Sequence, residues 1–158
     1  MKIFLIEDDG YKKAKIIDCL NEKYGNIELL LAESVTSAVR LIEELDNEHI
    51  VLLDMSLPTY DLDITSGGRP QGFGGVEILR NMDFYEKSNR VIVITQYESI
   101  RLGNRVLDFN ELKNELEKEF IDLFHTLINF NVISDDWKIK LINSIGEIVD
   151  NENINSRR

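Results

Sequence analysis

The sequence predicts an α/β fold in which a five-stranded parallel sheet is covered by helices on both faces. Short apolar runs alternate with segments of helical periodicity five times along the chain. These runs are continuously apolar, as strands that are buried on both faces require. With 158 residues and 43% apolar content, the chain suits one domain, which we expect over residues 1–150. The polar residues 151–158 are expected to form a frayed tail.

The predicted elements follow one another with recognisable ends. Gly25 ends the first helix, and Ser34 is a typical cap for the second. The four-residue spacing of an amphipathic helix recurs at Leu112, Leu116, Phe120 and Phe124. The predicted strands are 3–6, 27–31, 50–53, 91–94 and 126–130, and the predicted helices are 11–24, 35–46, 75–83, 105–124 and 137–149.

Two regions interrupt this regular alternation. Five of the nine glycines fall between Gly67 and Gly75, and residues 59–74 lack any periodicity, so we interpret 59–74 as an inserted loop that is functional or mobile. Residues 99–124 are longer than one helix and its connection need, which predicts an enlarged fourth helix region. We find no internal repeat and no sign of a second domain.

The composition excludes several classes of function. A net charge of −11 makes the chain a poor nucleic-acid binder, because phosphates would be repelled. Cys19 is the single cysteine, so neither an intramolecular disulfide nor a multi-cysteine zinc site can form. The first apolar run is too short for a signal peptide or a membrane span. We therefore expect a cytoplasmic protein that does not bind membranes.

Polar residues that can carry chemistry stand at the carboxyl ends of the predicted strands, where ligands bind in open α/β sheets. The first strand is followed by Glu7, Asp8 and Asp9, the third by Asp54, and the fourth ends in Thr95. If the first and third strands are neighbours, several carboxylates crowd one edge of the sheet. Such a cluster is costly unless a hard cation neutralises it, and Mg²⁺ fits because it needs only one or two carboxylates.

These runs resemble the receiver domain of bacterial two-component response regulators. The resemblance is carried by the sequences IFLIEDD at 3–9, VLLDMSLP at 51–58 and VIVIT at 91–95. It covers about residues 1–100 well and the remainder in element order. The resemblance implies a flavodoxin-like, CheY-like fold with the strand order 2-1-3-4-5.

The resemblance also implies a role for each residue of the acidic edge. Glu7 and Asp8 would hold Mg²⁺, and Asp54 would bind it and accept a phosphoryl group from a histidine kinase. Ser56 would give its backbone carbonyl to the metal. Thr95 would bond the phosphoryl group and act as the switch that reports its arrival.

Two departures from the receiver pattern bear on this interpretation. Receiver domains have a lysine at the end of the fifth strand, usually followed by a cis-proline, whereas residues 126–131 here contain neither. Without that lysine, a charge-assisted contact to the phosphoryl group is lost. The residue after Thr95 is Gln96, where receivers usually have a small side chain.

Three functions remain open at this point. The first is a stand-alone atypical receiver in phosphorelay signal transduction: a histidine kinase or phosphotransfer protein phosphorylates Asp54, and the domain docks to a separate output protein. The second is a degenerate receiver, a phosphorylation-independent interaction module, which the missing lysine, Gln96, and the enlarged loop and helix favour. The third, an enzyme, is disfavoured because an aspartyl phosphatase needs a second Asp two positions after the first, where this chain has Ser56.

Overall fold

The parallel sheet is the centre of the molecule. A computed structural model describes residues 1–60, 74–96 and 99–157. Five parallel strands form one sheet in the order β2-β1-β3-β4-β7. The predicted fold class is confirmed, and the fifth parallel strand is β7 because two additional strands precede it in the chain. The parallel strands are β1 Lys2–Ile6, β2 Glu28–Ala32, β3 His49–Leu53, β4 Val91–Thr95 and β7 Phe124–Asn129.

Helices cover both faces of this sheet, as the continuously apolar strands predicted. Alternate residues of each strand face opposite sides, so the sheet separates two hydrophobic cores. One core contains buried residues of α1 and α5, and the other contains buried residues of α2, α3 and α4. The helices are α1 Gly10–Tyr24, α2 Val35–Ile42, α3 Gly74–Phe84, α4 Phe109–Glu119 and α5 Asp136–Ser156.

The predicted helix over 105–124 is wrong at both ends. Its first residues belong to an antiparallel hairpin, formed by β5 Ser99–Leu102 and β6 Arg105–Asp108. The helix α4 begins after Asp108, whose side chain accepts from the backbone N–H of Glu111 at 2.8 Å while the Glu111 carboxylate accepts from the Asp108 N–H at 3.0 Å. This capping box fixes the start of α4. The apolar Phe124 that extended the helical spacing begins β7 instead.

The C-terminal tail differs from the prediction, and most of the predicted inserted loop lies outside the described residues. The tail from residue 151, which was predicted to be frayed, is helical as far as Ser156. It continues α5, and its side chains are exposed. The predicted inserted loop 59–74 falls mostly on residues 61–73, which lie outside the described residues. Among the helices of the described ranges, none is long and apolar enough to cross a membrane.

The start of α3 packs directly on the segment that follows β3. The N–H of Gly75 donates to the carbonyl of Met55 at 3.1 Å. A Cβ atom on Gly75 would lie 2.7 Å from the carbonyl oxygen of Asp54, and one on Gly74 would lie 2.7 Å from that of Leu57. Because backbone atoms cannot yield as flexible side chains do, glycine is required at both positions. This contact holds the backbone around Asp54 in place.

Candidate functional site

Backbone hydrogen bonds place the acidic residues at the carboxyl edge of the sheet. The N–H of Glu7 donates to the carbonyl of Ala32 on β2, and the N–H of Asp54 donates to that of Ile6 on β1, both at 3.0 Å. These bonds continue the parallel ladder by one residue beyond each strand. The side chains of Glu7 and Asp54 therefore leave neighbouring strands at the same level.

Three of the predicted site residues form one cluster. Glu7, Asp8 and Asp54 each offer a carboxylate oxygen, and these oxygens lie within 4.8 Å of one another. Glu7 and Asp54 are buried, and Asp8 is half-buried. The N–H of Ser56 donates to Oδ2 of Asp54 at 3.3 Å, so this predicted residue also lies against the cluster.

Thr95 lies at the end of the strand next to β3. It is fully buried, and its carbonyl accepts from the N–H of Phe130 at 2.8 Å. Strands β3 and β4 are paired, so Asp54, which follows β3, and Thr95, the last residue of β4, lie at the ends of adjacent strands. Gln96, the next residue, is exposed. The structure thus brings the strand-four hydroxyl residue to the same edge as the carboxylates.

A lysine that the sequence interpretation missed completes the cluster. Nζ of Lys12, on the first turn of α1, lies 2.7 Å from Oε2 of Glu7 and 2.8 Å from Oδ1 of Asp54. It also donates to the carbonyl of Ile94 at 2.6 Å. The side chain of Lys12 is 1% exposed. The acidic edge therefore contains a cation, although the strand-five lysine is absent.

The first turn of α1 explains how Lys12 reaches this position. The Asp9 carboxylate caps the helix by accepting from the N–H of Lys12 at 2.8 Å, and Oε1 of Glu7 accepts from the N–H of Asp9 at 3.0 Å. Lys12 shares the buried stripe of α1 with Ile16 and Leu20, one and two turns further on. The signal in the sequence was a lysine at an apolar position of the helix, directly beside an acidic strand end.

Burial and mutual repulsion shift the ionisation of these groups. Burial, together with the charge of Asp54, raises the pKa of Glu7 to about 7. The same two causes raise the pKa of Asp8 above its ordinary value. Burial opposes the charged form of Lys12, but attraction to Asp54 and Glu7 outweighs it and raises its pKa. The single ammonium is therefore shared by carboxylates that still carry excess negative charge.

The cluster has oxygen donors that could hold a magnesium ion. Two oxygens bound to one Mg²⁺ at its usual bond length are at most about 4.2 Å apart. Carboxylate oxygens within 4.8 Å of one another reach that separation by small side-chain rotations. Lys12 engages Oε2 of Glu7 and Oδ1 of Asp54, so Asp8 and Oδ2 of Asp54 are the groups best placed to bind the metal. The donor set is all oxygen, as Mg²⁺ prefers.

No family model matches the chain. Two relatives match nearly the whole of it. The uncharacterized protein y4jR of Sinorhizobium fredii is 25% identical over 146 residues, which cover 91% of this chain and 96% of that protein. The Detocs response regulatory protein DtcB of Enterobacter cloacae is 24% identical over 150 residues, which cover 94% of this chain and all of that protein.

Solved structures of receiver domains superpose on the chain over almost its full length. The CheY-like response regulator receiver domain protein from Methanospirillum hungatei matches with a TM-score of 0.63 and 16% identity, over 98% of this chain and 97% of that one. At this identity the match concerns the fold. The resemblance predicted from the sequence is confirmed, and this chain has the fold of a CheY-like receiver domain of response regulators.

Proposed function

We propose that this protein is an atypical response-regulator receiver that accepts a phosphoryl group on Asp54. The observation that carries the proposal is the cluster itself: three carboxylates and a lysine meet at the carboxyl edge of a receiver-type sheet, with Thr95 at the end of the adjacent strand. The 24% identity to a response regulatory protein supports the same class of function.

In this proposal Asp8 and Asp54, with Glu7 beside them and the carbonyl of Ser56, hold Mg²⁺. The metal would neutralise negative charge on the incoming phosphoryl group. An Asp54 oxygen attacks phosphorus and forms the P–O bond of an acyl phosphate. The bond between phosphorus and the nitrogen of a donor phosphohistidine breaks, and its electron pair stays on the imidazole. The N–H of Ser56 holds the Asp54 carboxylate in orientation.

The readout proposed for the new charge uses Thr95 and a partner protein. A phosphoryl group on Asp54 brings acceptor oxygens toward the end of β4, where the Thr95 hydroxyl can donate to them. Movement of the β4 end then changes the surface that docks to an output protein. The partners are a histidine kinase or phosphotransfer protein on one side and a separate output protein on the other.

The degenerate interaction module is not favoured. Its main argument was the missing cation, and Lys12 lies 2.8 Å from Asp54. Its second argument was obstruction by Gln96, whose side chain is exposed. Neither departure from the receiver pattern therefore removes the chemistry that Asp54 needs.

Phosphorylation is tested by incubating the protein with Mg²⁺ and acetyl phosphate and measuring the intact mass. We expect one phosphoryl group on the wild type, none on Asp54→Asn, and none when Mg²⁺ is chelated. Asp46→Asn is the matched control, because Asp46 is an exposed carboxylate on the same chain. An unmodified wild type, or an Asp54→Asn variant that is still labelled, would contradict the proposal.

A further inference from the structure

Lys12 is an unusual residue to bury. A lysine that is 1% exposed loses the hydration of its charge, a large cost that only close oxygen partners can offset. Here Nζ has three oxygen partners within 2.8 Å: Glu7, Asp54 and the carbonyl of Ile94. An ammonium group has three hydrogens to donate, so the geometry satisfies it completely.

The partners of Lys12 join the three parts of the proposed phosphorylation site. Glu7 follows β1, Asp54 follows β3, and Ile94 directly precedes Thr95 on β4. The ammonium therefore bridges the proposed phosphoacceptor and the backbone of the strand that ends in the proposed switch residue. A lysine that only neutralised the carboxylates would need no contact with β4, whereas Lys12 also donates to the carbonyl of Ile94.

The end of β7 contains no competing cation. Asn129 pairs in register with Thr95 and is exposed, and the next residue is Phe130. The Phe130 ring lies below the ammonium, with its centroid 5.9 Å from Nζ of Lys12. An aromatic face at this distance is attractive to a cation. Phe130 also packs on the buried Trp137, so the position of the ring is fixed.

We propose that Lys12, delivered from the first turn of α1, is the cationic residue that contacts the phosphoryl group on Asp54. This inference rests on the proposed function of Asp54. The phosphoryl oxygens carry negative charge throughout the transfer, while the P–O bond to Asp54 forms and the donor's bond to phosphorus breaks. The Lys12 ammonium keeps its three protons and redirects a hydrogen bond from the Asp54 carboxylate to a phosphoryl oxygen.

The test compares rates of phosphorylation by acetyl phosphate in saturating Mg²⁺. We expect Lys12→Met to react roughly 10- to 100-fold more slowly than the wild type, as loss of one hydrogen bond to a charged group predicts. Lys15→Met is the matched control, because Lys15 is an exposed lysine on the same helix, and its rate should equal that of the wild type. A folded Lys12→Met variant that reacts at the wild-type rate would overturn the inference and leave the proposed function intact.

A charge-relocation variant separates the cation from packing. In Lys12→Met combined with Asn129→Lys, the ammonium returns at the end of β7, beside Thr95. We expect this double variant to recover part of the lost rate. A folded double variant that stays as slow as Lys12→Met would assign the loss to packing and contradict the inference. If the wild type itself takes no phosphoryl group, the proposed function fails and this inference fails with it.

A measurement on the unmodified chain covers the case in which Lys12→Met does not fold. With ¹⁵N-lysine labelling, the side-chain resonance of Lys12 should shift when Mg²⁺ and beryllofluoride, a phosphoryl mimic, are added. The resonance of Lys15 should not shift. A mimic-bound protein in which the Lys12 resonance is unchanged would overturn the inference.

Discussion

Lysines at opposite edges of the sheet make nearly the same ion pairs in very different surroundings. At the amino edge, Nζ of Lys2 lies 2.8 Å from Asp46 and 2.9 Å from Glu48. At the carboxyl edge, the Lys12 ammonium lies 2.7 Å from Glu7 and 2.8 Å from Asp54. The Lys2 side chain is 29% exposed and the Lys12 side chain 1%. Access to water is therefore the main difference between the two clusters.

That difference reverses the net shift in the carboxylate pKa, although the lysine partner lowers the pKa in both clusters. The hydrogen bond from Lys2 lowers the pKa of Asp46 to about 2. For Glu7, burial outweighs the Lys12 contact and raises the pKa to about 7. An exposed ion pair adds little to the free energy of unfolding, whereas removing one partner of a buried ion pair leaves an uncompensated charge and is strongly destabilising. The geometry of an ion pair alone does not reveal which case applies.

Removal of the buried lysine should have the largest effect on stability. In magnesium-free buffer, Lys12→Met leaves Glu7 and Asp54 buried without their counter-charge, and we expect the free energy of unfolding to fall by about 3–5 kcal/mol. Urea denaturation with chelator present measures this. Added Mg²⁺ should return part of the loss. A fall in the free energy of unfolding of less than about 1 kcal/mol would contradict this prediction, because it would mean that the carboxylates do not need the Lys12 counter-charge.

The raised pKa of Glu7 predicts an unusual pH dependence in the metal-free protein. Between its ordinary value of 4.5 and about 7, the folded state holds a proton that the unfolded state has lost. This contribution to stability is full below pH 4.5 and is lost as the pH rises to 7. Integrated over that window it amounts to about 3 kcal/mol.

The measurement is the difference in unfolding free energy between Glu7→Gln and the wild type from pH 5 to 7.5, with chelator present. We expect the wild type to lose stability relative to the variant as the pH rises. Glu48→Gln, which removes an exposed carboxylate beside Lys2 at the amino edge, is the control variant measured in parallel. A difference that is constant with pH would contradict the raised pKa.

Magnesium should stabilise only the carboxyl edge. A ligand that binds the folded state alone adds about 1.4 kcal/mol at ten times its dissociation constant. We expect this gain in the wild type and in Glu48→Gln, and its loss in Asp8→Asn. Thermal unfolding with and without Mg²⁺ measures it. An equal gain in Asp8→Asn would place the ion elsewhere.

The smallest effect is expected at the exposed cluster. Lys2→Met should change the free energy of unfolding only slightly, because water replaces the lost partner of Asp46 and Glu48. The cost should shrink further in high salt, which screens exposed charges. Urea denaturation at low and high salt measures it. A salt-independent loss as large as that of Lys12→Met would show that exposure does not separate the two clusters.

The sequence predicted the sheet and the acidic edge well because both depend on local patterns. Continuous apolar runs identified β1, β3 and β4, and the residues after them are fixed by the strand ends. Lys12 was missed because a lysine in a helix is normally solvated, and its burial depends on contacts with residues 42 and 82 positions further along the chain. The hairpin before α4 was missed because its four-residue strands are too short to show an alternating pattern.

The sequence positions of Glu7, Asp9 and Lys12 have a consequence for the order in which the molecule can assemble. The acid, the helix cap and the lysine lie within six consecutive residues, and Asp54 follows 42 residues after the lysine. Strand β7, at the edge of the sheet, begins only at Phe124. During synthesis, the charges of the carboxyl edge can therefore be neutralised among β1, α1 and β3 before the last strand has been made. A site whose lysine came from the fifth strand would have to wait for the end of the sheet.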